Sequence, residues 1–157
     1  MPRIEEAIVV PLSAVETWEL MRNLELRPSW DVTILQVSRH TVGSSDDTLR
    51  LYYTAPLFLG LNWSWEGEYI SYQPPYRTAV RMHRGSFLRP FKRLVGTWIL
   101  ESIGEVTQVR IIVSFEPRLP LPFLGKIMGY RMRRLLGRSL LALRVLGTDP
   151  ALYRHGT

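Results

Sequence analysis

The chain contains no cysteine, only three histidines, and no uninterrupted apolar run near the ~18 residues that suggest a membrane span. The first absence excludes a disulfide framework, a thiolate metal site and a cysteine nucleophile, and it fits a reducing cytosol. The scarcity of histidine leaves little for acid–base chemistry: His40 ends an expected strand, His83 falls on an expected outer strand face, and His155 lies in the terminal stretch. No three of His, Asp and Glu have the spacing of a metal site. Residues 1–7 also lack the basic stretch, apolar core and small-residue cleavage site of a secretory signal. The expectation is a cytoplasmic protein without a cofactor, in contact with a membrane only peripherally.

Acids are missing where bases gather. Residues 118–157 hold eight basic side chains and one acidic, while Arg77, Arg81, Arg84, Arg89, Lys92 and Arg93 follow one another with no acid between them. The net charge of +6 and pI near 10.1 favour anionic partners such as phospholipid headgroups or nucleic acid. A solvated face with counter-ions would look the same. What is present in quantity is apolar: 46% of 157 residues, enough for one domain with a real core. We place that domain at residues 1–147 and a loose tail at 148–157.

Residues 3–10 carry branched apolar side chains and stop at Pro11, which predicts a strand. Ser13 with Glu16 forms a capping box, and Val15, Trp18 and Met21 recur at helical spacing. A second helical turn is expected over 25–29. Six strands follow at 32–40, 49–54, 62–71, 76–83, 93–101 and 107–116, each bounded by glycine, proline or polar turn residues. Helical periodicity returns over 123–146, gathering Met128, Met132, Leu135, Leu136, Ser139 and Leu143 on one side. Lys126, Arg131, Arg133, Arg134, Arg138 and Arg144 occupy the rest of the circumference.

If the strands form an antiparallel meander, alternate connections lie at opposite ends of the sheet. One set is apolar and basic: Pro56 to Leu61, Phe87 to Arg93, and Arg118 to Phe123. The other set is polar, with Gly43 to Asp47, Gln73 to Pro75, and Gly104 with Glu105. One end of the sheet is therefore greasy and cationic. The strand period of two sends Leu49, Leu51, Tyr53, Trp63, Trp65, Tyr69, Thr78, Val80, Met82, Leu94, Gly96, Trp98, Leu100, Val109, Ile111, Val113 and Phe115 to one face. Arg50, Glu66, Glu68, Arg77, Arg81, His83, Arg110 and Glu116 go to the other.

A strand, two helices, six strands and a long helix is the element order of the helix-grip fold. The run Ile8 to Trp18, with Pro11 between strand and helix, and the segment Leu26-Arg27-Pro28-Ser29-Trp30-Asp31 resemble the opening of the START-like superfamily, in its polyketide cyclase/dehydrase (SRPBCC) group. Phe115-Glu116-Pro117, the proline-rich loop and the basic helix are similar to its ending. The resemblance implies an α+β helix-grip fold: a curved antiparallel sheet of about seven strands wrapped around the C-terminal helix. It also implies a hydrophobic cavity between them, opening beside the apolar loops.

In that fold Tyr53, Trp63, Trp65, Tyr69, Met82, Trp98, Phe115, Met128 and Met132 would line the cavity, unless they fill a solid core. Aromatic rings with polar edges and flexible methionines suit a large apolar ligand. The mouth would carry Phe58, Leu59, Phe87, Leu88, Arg89, Lys92, Arg93 and Phe123, a set suited to an anionic bilayer, to a lid over the ligand or to a dimer contact. Aromatase/cyclase relatives carry a tryptophan followed by a cavity arginine. Here Trp65 is followed by Glu66, Gly67, Glu68 and Tyr69, which argues against cyclase chemistry. The expected function is binding or carriage of a hydrophobic small molecule or lipid without catalysis. The alternative is a cyclase/aromatase- or dehydratase-like enzyme using Tyr53 or Tyr69. Nucleic acid ranks third, because the basic helix lacks interleaved stacking aromatics apart from Tyr130. The oligomeric state is left open.

Overall fold

The structure, a computed structural model, describes residues 2–41, 49–57 and 60–148. Within them the order is β1 (Arg3–Val10), α1 (Ala14–Arg22), α2 (Arg27–Trp30), β2 (Gln36–Thr41), β3 (Leu49–Pro56), β4 (Asn62–Gln73), β5 (Arg77–Gly85), β6 (Phe91–Ile103), β7 (Val106–Pro117) and α3 (Leu124–Thr148). The strands make one antiparallel sheet in the order β1-β7-β6-β5-β4-β3-β2, so the middle of the chain is a meander and β1 closes it beside β7. Register shifts in the β4–β5 ladder, at Glu66/Gly67 and Tyr69/Ser71, add the local twist that curls the sheet around α3. This is the α+β helix-grip architecture.

Local chemistry sets the element ends. Ser13 Oγ accepts the Glu16 amide at 3.2 Å and donates to Glu16 Oε1 at 3.1 Å, capping α1 and turning its buried Trp18, Leu20 and Met21 inward. Asn23 Oδ1 accepts from the amides of Glu25 and Leu26 at 3.1 and 3.3 Å and turns the chain into α2, where Pro28 occupies the first turn. The strand expected from residue 32 starts at Gln36. The backbone before it is already engaged: Asp31 Oδ1 accepts from Thr33 N at 3.0 Å, and Val32 N donates to Ser139 Oγ at 3.0 Å. Gly104, at φ 63°, makes the two-residue turn between Ile103 and Val106.

The connections separate as the meander requires. At one end Arg118 N donates to Pro90 O at 3.0 Å and Arg131 Nη2 of α3 donates to Leu57 O at 2.9 Å, which joins the three apolar connections around the start of α3. The turns at 74–76 and 104–105 lie at the other end, and the polar stretch 43–47 is outside the described residues. No helix among the described residues is long and apolar enough to cross a membrane.

α3 runs two residues beyond the expected end. Gly147 belongs to it and is buried; a Cβ there would meet Val10 Cγ1 at 2.8 Å, so the last turn is docked onto β1. Residue 148 is thus helical, and residues 149–157 of the expected tail lie outside the described residues. The six basic side chains expected on the outer circumference of α3 are exposed. Val10, Trp30, Val109, Leu140 and Leu143 are fully buried, so the solid core sits under the second half of α3. Under its first half the helix meets Phe115 and Ile4 beside Gly129, while towards β3–β5 the sheet and the helix part.

Candidate functional site

The gap is a cavity of about 800 Å³. Its sheet wall is built of stacked rings: Tyr53 lies on Trp65 with centroids 4.0 Å apart and planes 13° from parallel, and Trp65 on Trp63 at 6.0 Å and 15°. Gly67 makes this stack possible. A Cβ on it would come within 3.1 Å of both the Trp65 and Tyr53 rings and 2.7 Å of Val80 Cγ1. Tyr69, Thr78, Val80 and Trp98 continue the wall, and Met128, Met132, Leu135 and Leu136 of α3 face it.

Seven of the nine expected lining residues therefore meet around one space: Tyr53, Trp63, Trp65, Tyr69, Trp98, Met128 and Met132. Phe115 and Met82 do not. Phe115 is 0% exposed, packed edge-on against Phe91 at 5.5 Å, with its Cζ 3.7 Å from where a Gly129 Cβ would stand. The helix rests directly on it, so it belongs to the core. Met82 stands opposite Gly67 on the inner face, as alternation expects, but packs half-buried against the core and outside the cavity lining.

The mouth is divided in the same way. Phe87 is 83% exposed, and Leu88, Leu119, Leu121 and Phe123 are exposed beside it. Phe87, Leu88, Arg89, Arg118, Leu119 and Arg131 border the opening. Arg118 Nη1 donates to Phe87 O, with the guanidinium 5.4 Å above the Phe87 ring. Arg89 Nη1 donates to the Ser86 carbonyl at 3.3 Å. Lys92 and Arg93, expected at the mouth, instead face Glu116 at 3.7 and 3.6 Å and stay off the lining. The register shift at Phe91/Arg93 in the β6–β7 ladder lets these two adjacent residues share the side of Glu116. Phe58 and Leu59 lie outside the described residues.

Strand parity accounts for the carboxylates of β4. Glu66 pairs with Arg50 at 2.7 Å, and Glu68 with Arg81, with His83 Nδ1 at 3.8 Å. The hydrogen bond from Arg81 holds the Glu68 carboxyl below its ordinary range. None of these groups lines the cavity.

A reading of strand faces missed the polar groups that do enter, because α2 supplies them. Arg27 and Asp31 both line the cavity, with Nε donating to Asp31 Oδ2 at 2.8 Å and side chains only 14% and 3% exposed. The Arg27 guanidinium lies 5.0 Å from the Trp30 ring and 5.6 Å from the Trp98 ring. Asp31 Oδ1 also accepts from Thr33 N at 3.0 Å, Thr33 Oγ1 at 2.5 Å and Ser139 Oγ at 3.3 Å. Burial works against the Arg27 charge, but Asp31 and the nearby phenols outweigh it, so Arg27 stays protonated with its pKa raised. Burial likewise pushes the Tyr53 phenol well above its ordinary value, against a smaller pull from Arg27. Part of the signal was available: Arg27 lies in the turn expected over 25–29, and Asp31, two residues past it, stands four residues from Arg27, a spacing that brings side chains together on a helix. Asp31 is the only carboxylate among the described lining residues, and with four donors on it, it is no free base.

The chain matches the family described as polyketide cyclase / dehydrase and lipid transport over residues 1–146. No match among curated proteins accompanies it. Among solved structures, a Thermus thermophilus protein is similar at 19% identity and a TM-score of 0.75, over 94% of this chain and 97% of that one. The Zhui aromatase/cyclase of a Streptomyces species is similar at 14% identity and 0.76, over 94% and 93%. A START superfamily protein of Mycobacterium smegmatis follows at 15% and 0.67, over 97% of each. At these identities the structural likeness speaks for the fold. With the family match, the ring-walled cavity and the helix-grip sheet in place, the chain belongs to the polyketide cyclase/dehydrase and lipid transport family.

Proposed function

We propose that the protein binds and carries a hydrophobic small molecule or lipid in this cavity, exchanging it through a mouth that touches an anionic membrane surface. The observation that carries the reading is the cavity: about 800 Å³ of mostly apolar wall, within the range of small-molecule sites and open at a rim of exposed aromatic and basic side chains. Family membership supports it, since the family description includes lipid transport. The rim supports the membrane contact. Phe87, Leu119 and Phe123 are exposed beside Arg89, Arg118 and Arg131, and each basic group near an anionic bilayer contributes about 1 kcal/mol. Binding is preferred over cyclase-type catalysis because Asp31 is saturated with donors and paired with Arg27.

Displacement of N-phenyl-1-naphthylamine, followed by fluorescence, tests the cavity. The native protein is expected to bind the dye, and Trp65→Ala to weaken it. A native protein that takes up no dye, and carries no added mass in native mass spectrometry, overturns the reading. Flotation with phosphatidylserine/phosphatidylcholine vesicles tests the rim. Binding is expected to be lost in Phe87→Asp; flotation unchanged by that substitution removes the membrane contact.

A further inference from the structure

The charged groups along the cavity are of two kinds. Arg89, Arg118 and Arg131 border the mouth, where they bond backbone carbonyls of Ser86, Phe87 and Leu57. Arg27 and Asp31 lie at the other end, tied through Ser139 to α3 eight residues beyond Arg131, about 12 Å further along the helix axis. A ligand that enters from the mouth meets them with its leading end.

At that end the uncommitted charged group is a donor. Asp31 has its acceptor capacity taken by Thr33, Ser139 and Arg27. Among the described residues the Arg27 side chain has Asp31 as its only hydrogen-bonding partner, and only through Nε, which leaves the two Nη groups of the fork. The Trp30 and Trp98 rings hold the guanidinium plane, so the donors are preorganised. Tyr53, a buried phenol, lines the same cavity as Arg27 and is near enough for each to shift the other's titration.

The sum of charge at this end is zero. An anionic ligand group would face Asp31 in a low-dielectric setting with no second buried cation to offset it. Arg22 also borders the cavity, but it is half exposed and already faces Glu19 at 3.3 Å. An uncharged acceptor oxygen satisfies the donors without adding a charge.

We infer that Arg27 and Tyr53 form a donor site at the inner end of the cavity that takes an uncharged carbonyl-type oxygen, so that the ligand is an apolar ketone, ester or quinone bound with that oxygen innermost. This rests on the cavity reading above and narrows it to a chemical class. An apolar chain that ends in a carboxylate binds in the opposite sense, with its charge at the mouth arginines.

Three probes of equal carbon number, used to displace N-phenyl-1-naphthylamine, separate the possibilities: dodecyl methyl ketone, tetradecane and tetradecanoic acid. The native protein is expected to bind the ketone on the order of tenfold more tightly than the alkane, as for a hydrogen bond to a charged donor. In Arg27→Met with Asp31→Asn, which removes the buried pair as a unit, that preference disappears while the affinity for the acid is unchanged. Arg27→Lys keeps the ion pair, loses the fork and reduces the preference; it carries the test if the double variant does not fold by circular dichroism. Equal binding of ketone and alkane by the native protein overturns the inference, as does a preference that survives these variants. A parallel loss of acid binding also overturns it, because the site would then be one for anions. If the native protein takes up the dye and none of the probes displaces it, the inference falls while the cavity reading stands. If it takes up no dye at all, the cavity reading itself has failed and the inference falls with it.

Discussion

Arg27 and Arg118 each lie over an aromatic ring, but at opposite ends of the same cavity, and their surroundings give them opposite roles. Arg27 is removed from water, so it requires Asp31, and Asp31 in turn requires Thr33 and Ser139. Arg118 is exposed; it bonds the Phe87 carbonyl and needs no counter-charge. Desolvation, more than residue type, decides what a cation costs and what it does. The inner end is therefore a rigid, charge-balanced constellation that supports the fold, and the rim is a set of loops whose cations remain available to a partner.

The comparison breaks most easily at its buried end. Asp31→Ala leaves Arg27 buried without its carboxylate and is expected to lower stability by about 3–5 kcal/mol in urea unfolding. Arg27→Met with Asp31→Asn should cost about 1 kcal/mol or less, because both charges go together. A loss from the double variant as large as from the single one would mean that the pair is not balanced as described.

Glycines of α3 test packing at the two ends. Gly147→Ala drives a Cβ to 2.8 Å from Val10 Cγ1 and is expected to lower stability by about 1–3 kcal/mol. Gly125→Ala at the mouth meets only ordinary contact, Pro2 Cγ at 3.5 Å, and should be neutral or stabilising by up to ~1 kcal/mol from helix propensity. Thermal unfolding of the two variants side by side reads the difference.

The inner end should also respond to alkali. The Tyr53 pKa is raised in the folded protein, so the fold holds this proton after the unfolded chain has released it. Stability is then unaffected below pH ~10 and falls as pH rises above it, by at most about 1.4 kcal/mol per pH unit from this group. Tyr53→Phe is expected to remove that part of the alkaline loss, measured by urea unfolding across the range. The smallest stability effect belongs to the rim. Phe87→Asp and Arg118→Ser should each stay within about 0.5 kcal/mol of the native protein, while both lower vesicle flotation.

Much of the fold was legible because its signals are periodic. Alternation assigned Tyr53, Trp63, Trp65, Tyr69 and Trp98 to the inner face, and the loop polarities located the mouth. Periodicity says which way a side chain points, but it is silent on what it meets. Phe115 and Trp63 have equal claims by pattern, yet α3 rests on the first and stands clear of the second. Met82 takes the inner face that alternation assigns it yet packs against the core, and the strand expected from residue 32 starts later because side-chain hydrogen bonds capture the backbone first. Strand alternation is silent on Arg27 and Asp31, because a four-residue helix and its C-cap carry them.

The sequence alone determined the order of elements, the inner face of the strands from β3 to β7 and the greasy, cationic character of one end, since these depend on local spacing and composition. Only the tertiary structure decided where that interior is solid and where it is hollow, because this depends on the distance between α3 and the sheet. It also decided that two charges four residues apart would be buried together, through Ser139, which contacts Asp31 from 108 residues further along the chain.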